Sequence, residues 1–219
     1  MDLSIIFILL TGFGLGLGHS LDPDHVVAVS TLLCNNKSLR KSIVSATVWG
    51  VGHSTVLFIV GLCVLTLSVV IPQTVVNLFD FVAGVLLIIL GMLVLRPLFV
   101  ERIKILQKRK FEVTHLTDQK YGHTHLHKSA IAGVLQGLGG SAALMLVTLT
   151  TVSSVEIGLV FILLFGVGVI LGMVGIACLV GSVIAYTASN LERVHKIIKA
   201  ITGSASIVFG ILIIVYALV

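Results

Sequence analysis
The chain has 219 residues, of which 57% are hydrophobic and only 11% charged, with a formal net charge of +5. Apolar runs long enough to span a bilayer (about 18 residues or more) fill most of its length, which fits one integral membrane domain. That composition excludes a separate soluble domain, and with it nucleic-acid binding as the meaning of the basic excess.

Six hydrophobic segments predict an all-α protein with six transmembrane helices, near 3–34, 42–70, 74–96, 129–150, 156–187 and 199–219. The first begins Met1-Asp2-Leu3-Ser4, without the basic region or cleavage site of a secretory signal, and reads as a permanent span. As one helix it would be about 46 Å long, against a hydrocarbon core of about 30 Å. Pro23 is expected to break it, because proline lacks an N–H and clashes with the preceding turn. Around the break stands His19-Ser20-Leu21-Asp22-Pro23-Asp24-His25. Each aspartate at the bilayer centre costs about 2.5–3.5 kcal/mol on insertion scales, so such a cluster marks a functional site. A merely structural kink would not repay two buried carboxylates. Imidazole and carboxylate together suit a divalent transition metal, and a nitrogen-dominated site suits nickel or cobalt better than magnesium or calcium.

The second segment carries His53 near its centre, at a depth similar to that of His19. The candidate metal site is therefore His19, Asp22, Asp24, His25 and His53. His19 and Asp22 have helical i, i+3 spacing, as do Asp22 and His25. Either aspartate could bind metal directly or orient an imidazole through its second nitrogen. The second and fifth segments are also overlong and must tilt or break. Asp80, at the outer end of the third, reads as a solvated helix-start residue. The loop near 97–128 holds His115, then His123, His125 and His127; on an extended chain the last three share one face and form an auxiliary capture site. The alternative there is an ordinary solvated loop.

All 14 basic residues fall between the first and second, third and fourth, or fifth and sixth segments, bordering the last ones at Arg96, Lys128 and Lys199. The positive-inside rule makes that side cytoplasmic and puts both termini outside, in a multi-pass inner (plasma) membrane protein. Cys34, Cys63 and Cys178 form no CxxC pair and read as small packing residues. The Gly12-Gly14-Gly16-Gly18 run reads as close helix packing, since no strand precedes it to make a phosphate loop.

The halves also echo each other. Gly16-Leu17-Gly18-His19-Ser20 parallels Gly137-Leu138-Gly139-Gly140-Ser141, and Gly50-Val51-Gly52-His53 parallels Gly166-Val167-Gly168-Val169. Gly84 and Gly91 are spaced like Gly203 and Gly210. Three spans per copy is odd, which predicts a 3+3 inverted repeat with a midplane site. The expected organisation is 1–96 (first repeat, with the metal motif), 97–128 (cytoplasmic loop) and 129–219 (second repeat).

His19-Ser-Leu-Asp-Pro-Asp24-His25 resembles the HX4DH motif of the nickel/cobalt transporter superfamily, and Gly52-His53-Ser54-Thr55 resembles its second helix motif. Residues Gly133 to Thr150 are similar to the glycine-rich fourth region of its shorter members. The resemblance points to the short branch that includes urease-accessory-type nickel transporters and nickel/cobalt efflux proteins. It implies passage of Ni2+ or Co2+, with His19, Asp24, His25 and His53 as motif residues. A modest histidine loop, where efflux members are often histidine-laden, leans toward uptake; efflux through the same site is the alternative. The metal is then substrate, no resident cofactor is expected, and homo-oligomerisation stays open. A membrane metal sensor would bind without flux. An HX4D acyltransferase would need glycerol-phosphate-binding blocks that the sequence lacks, so the chain reads as a transporter and not an enzyme.

Overall fold
A computed structural model describes residues 3–34, 36, 38–67, 71–107, 124–137, 139 and 154–219. Within them the chain forms seven helices: α1 (Leu3–His19), α2 (Pro23–Leu33), α3 (Leu39–Leu67), α4 (Gln73–Gln107), α5 (Thr124–Gly137), α6 (Val155–Asn190) and α7 (Glu192–Leu218). No strand occurs among the described residues. Helices α3, α4, α6 and α7 are long and apolar enough to cross a membrane, and α1 with α2, bent by 57°, passes the same test as a pair and would be a fifth if the two form one span. The fourth expected span is described only through Gly137 and at Gly139, and the rest of it lies outside the described residues.

The break in the first segment follows from three residues. Asp22 precedes a proline and takes φ −57°, ψ 137°, the extended conformation that proline imposes on its neighbour. Pro23 then occupies the first position of α2, where its missing N–H costs nothing. The loosened backbone is taken up by short turns, Leu21 N–H to Gly18 O (2.9 Å) and Asp22 N–H to His19 O (3.0 Å). Asp22 sits where a side chain would cap α2, yet its carboxylate makes no cap bond. It is engaged elsewhere.

Within the described residues the overlong second and fifth segments do not break. α6 runs for 36 residues, started by Ser154, whose hydroxyl accepts the Ile157 N–H at 3.3 Å. The helix ends also depart from the hydropathy limits. Arg40 and Lys41 lie in the first turn of α3, Arg102 and Lys104 on a continuing α4, and Arg193 and Lys196 at the start of α7. Arginine and lysine are good helix formers, so the helix outlasts its apolar stretch. Asp80 likewise is not at a helix start: it lies inside α4 and is half-buried.

α6 is the centre of the assembly. Phe161, Phe165, Val169, Met173 and Ile176 are buried at helical spacing, with α1 and α3 packed along the helix. α5 lies on α3, and α4 runs along α7. Glycines set how closely these helices approach. A Cβ on Gly16 would fall on the carbonyl oxygen of Phe165, and one on Gly133 on that of Trp49. Between α4 and α7, a Cβ on Gly84 would lie 2.7 Å from Gly210 O, and one on Gly91 2.5 Å from Gly203 O. The buried Ser206 hydroxyl donates to Leu87 O at 2.7 Å across that same interface. The outward faces carry exposed Leu10, Leu179, Val208 and Tyr216, as expected of a surface that meets lipid. Cys34 is buried, its Sγ 3.1 Å from Thr202 Oγ1, whereas Cys63 and Cys178 are exposed; all three are free thiols.

Candidate metal centre
The 57° bend turns the end of α1 and the start of α2 toward the middle of α3. It brings together His19 (8% exposed), His25 (0%) and His53 (0%). Each offers one ring nitrogen, and these nitrogens lie within 4.8 Å of one another. Among the described residues this is the one cluster of three or more histidine, cysteine or carboxylate side chains that could hold an ion.

The two aspartates stand behind the histidines. Asp22 Oδ2 lies 2.7 Å from His19 Nδ1, and Asp24 Oδ2 lies 2.8 Å from His25 Nδ1. An ionised carboxylate only accepts, so both Nδ1 atoms carry the proton and donate. Each Nε2 then bears a lone pair. His19 Nε2 is 3.3 Å from His53 Nε2, which must supply the N–H of that bond. His25 Nε2 has no hydrogen-bond partner at all, although it is buried. An unpaired buried polar atom costs about 1–3 kcal/mol, so a fold that keeps one at a cluster of potential ligands calls for a reason. A lone pair waiting for a cation is such a reason.

The spacing fits. Metal–imidazole bonds of about 2.0–2.1 Å place two tetrahedral ligands about 3.4 Å apart, close to the 3.3 Å between His19 and His53. An ion bound there would take the place of their mutual hydrogen bond, with the His53 proton moving from Nε2 to Nδ1 so that Nε2 offers its lone pair. Three imidazoles favour a borderline transition metal over calcium or magnesium. A carboxylate on the far nitrogen fixes ring and tautomer and raises ligand basicity. Losing Asp22 or Asp24 to alanine should therefore weaken nickel affinity by about 10–100-fold, measured by calorimetry on purified protein.

Of the five residues expected at the site, the three histidines converge and the two aspartates support them. The expected Asp22–His25 spacing is not used, because His25 bonds to its neighbour Asp24. Among the described residues, the cluster contains no loop histidine. His115 and His123 lie outside the described residues, while His125 and His127 fall in the first turn of α5, not on an extended chain.

Two further side chains line the site that the sequence did not single out. Trp49 stacks on His53, with ring centroids 4.9 Å apart and planes at 14°, and meets His25 edge-on at 5.0 Å. Gln136, on α5, accepts the Trp49 indole N–H at 2.9 Å and reaches the Asp24 carbonyl with its own N–H at 3.5 Å. A lone amide in an apolar segment was the available signal.

The chain is 34% identical to the urease accessory protein UreH of Bacillus sp. (strain TB-90), over 96% of its own length and 91% of the relative's. It belongs to the nickel/cobalt transporter family. Two more distant relatives of this family member are each 25% identical to it. One is a candidate nickel/cobalt efflux system of Methanocaldococcus jannaschii, covering 77% of this chain and 73% of the relative. The other is the Arabidopsis thaliana chloroplast protein FOR GROWTH AND FERTILITY 2, covering 90% of this chain and 52% of the relative. No protein-family model and no solved structure matches. The names of the first two relatives describe transport and accessory roles, in keeping with a transporter and not an enzyme.

Proposed function
We propose that this chain carries a divalent transition metal, Ni2+ first and Co2+ second, into the cell through a His19–His25–His53 site. The observation that carries the reading is three buried imidazoles with their ring nitrogens convergent, two of them backed by carboxylates. The uptake direction is supported by the small number of loop histidines. It is supported too by the relative that matches over 96% of the chain, named a urease accessory protein.

The proposed frame is a pair of inverted three-helix halves that rock about the site, with basic helix ends cytoplasmic and both termini outside. Reciprocal contacts support it. Exchanging α1 with α5, α3 with α6 and α4 with α7 turns Gly16 on the Phe165 carbonyl into Gly133 on the Trp49 carbonyl. The same exchange turns Gly168, beside Phe13 and Leu17, into Gly52, beside Ala130 and Val134, and turns Gly84–Gly210 into Gly203–Gly91. These contacts favour Gly133 as the counterpart of Gly16, one turn before the Gly137 suggested by the sequence echo.

Radio-nickel accumulation in cells expressing the chain, with cobalt as competitor, tests the reading. Accumulation above the empty-vector level is expected; a fall below it means efflux through the same site. Stoichiometric binding without flux in proteoliposomes would leave a membrane metal sensor. Replacing His123, His125 and His127 together by alanine should change initial uptake by less than about twofold, because these residues carry none of the three ligands.

A further inference from the structure
Two of the three histidines are held by carboxylates, and the third is not. His53 Nδ1 is buried without a hydrogen-bond partner, so once an ion displaces the His19–His53 bond at Nε2 no acceptor fixes its ring. What holds that ring is the indole of Trp49, stacked face to face at 14°. The indole has one polar atom, and its N–H donates to Gln136 Oε1. Since an indole nitrogen only donates, the amide of Gln136 must turn its oxygen to Trp49 and its NH2 the other way. That NH2 points to the carbonyl of Asp24, the residue whose carboxylate holds His25. Gln136 is 1% exposed and Trp49 0%, so water does not substitute for either bond.

On the proposed metal-site reading, we infer that Gln136 is a positioning residue for the ion: through Trp49 it orients His53, and through the Asp24 carbonyl it fixes the start of α2. Its place in the fold supports this. Gln136 follows Gly133 in α5 at the interval by which His19 follows Gly16 in α1, and the two glycines make equivalent contacts, with Trp49 and Phe165. His19 packs on Phe165 at 5.4 Å, as Gln136 bonds to Trp49. The second half thus presents a neutral amide where the first presents a ligand. It contributes orientation in place of a metal bond.

The test uses the full chain, purified in detergent. Trp49 is the one tryptophan of the sequence, so intrinsic fluorescence reports on it alone. Titrating Ni2+ into the wild type should quench that fluorescence saturably, because the ion binds the ring on which the indole stacks. Gln136→Met keeps the volume and removes both hydrogen bonds. It should weaken Ni2+ binding by about 10–100-fold and alter the visible absorption of bound Co2+, which reports ligand geometry. Binding within twofold of wild type, with the same Co2+ spectrum, overturns the inference. If Gln136→Met fails to give monodisperse protein, Trp49→Phe decides: it keeps a stacking ring and loses the N–H. Weaker binding and a changed Co2+ spectrum in that variant support the role, and an unchanged spectrum and affinity overturn it. His25→Ala separates the two readings. If it retains wild-type Co2+ binding, the site itself is misassigned; if it alone loses binding, only the role of Gln136 falls.

Discussion
Replacing His25 by alanine should reduce nickel accumulation to the empty-vector level while leaving protein in the membrane. Of the three proposed ligands, His25 is the one whose Nε2 has no other partner, so no competing hydrogen bond has to be broken before it binds. Outer-shell partners are worth about 10–100-fold in affinity, and a direct ligand exceeds the upper end of that range. The fold should tolerate the change. The one hydrogen bond lost is that to Asp24, whose side chain is 28% exposed and can be solvated, along with edge-on ring contacts to His19, Trp49 and His53. Radio-nickel uptake, together with an immunoblot of the membrane fraction, checks both halves of the statement. Undiminished flux with normal expression would remove His25 from the site.

The glycine run of α1 gives the second large effect, and it depends on position within the run. Gly12 and Gly16 face α6: a Cβ on Gly12 would lie 2.8 Å from the Phe161 ring, and one on Gly16 would fall on the Phe165 backbone. Gly14 and Gly18 have nothing within 4 Å of a Cβ. Backbone cannot rotate out of the way as a side chain can, so Gly16→Ala must push α1 and α6 apart. Overpacking of this kind costs about 1–3 kcal/mol or more. Gly14→Ala should instead be neutral or stabilise by up to about 1 kcal/mol, through helix propensity alone. Thermal unfolding in detergent, followed by size-exclusion chromatography, should show Gly16→Ala melting well below wild type and Gly14→Ala at or above it. Equal melting of the two would mean that α1 does not pack on α6 through this face.

Much of the site was legible because polar residues stand out in apolar runs. His19, Asp22, Asp24, His25 and His53 could be listed from the sequence, and the break at Pro23 followed from proline chemistry. The His19–Asp22 pair also obeyed its helical spacing. What the sequence could not decide was which nitrogen each carboxylate would take. The extended backbone at Asp22 directs its side chain back to His19, leaving His25 to Asp24. Helix ends were hidden for another reason: hydropathy marks where lipid begins, while α4 continues to Gln107 on residues that favour helix in water as well. Trp49 and Gln136 were missed because their bond joins positions far apart in the chain. The repeat offered a route to it, since a register one turn earlier lays Gln136 over His19.

The carboxylates behind His19 and His25 have an electrical consequence. If the proposed site takes a divalent ion, three neutral imidazoles contribute no formal charge and two ionised aspartates balance it. The loaded assembly is then a neutral package, which keeps a dication from facing the low dielectric alone. Moving a charge through the membrane potential takes about 2.3 kcal/mol per 100 mV, and a neutral package feels almost none of it. The voltage acts on the two carboxylates after the ion has been released. An inside-negative potential therefore drives the return stroke of an importer, and would hold back that of an exporter.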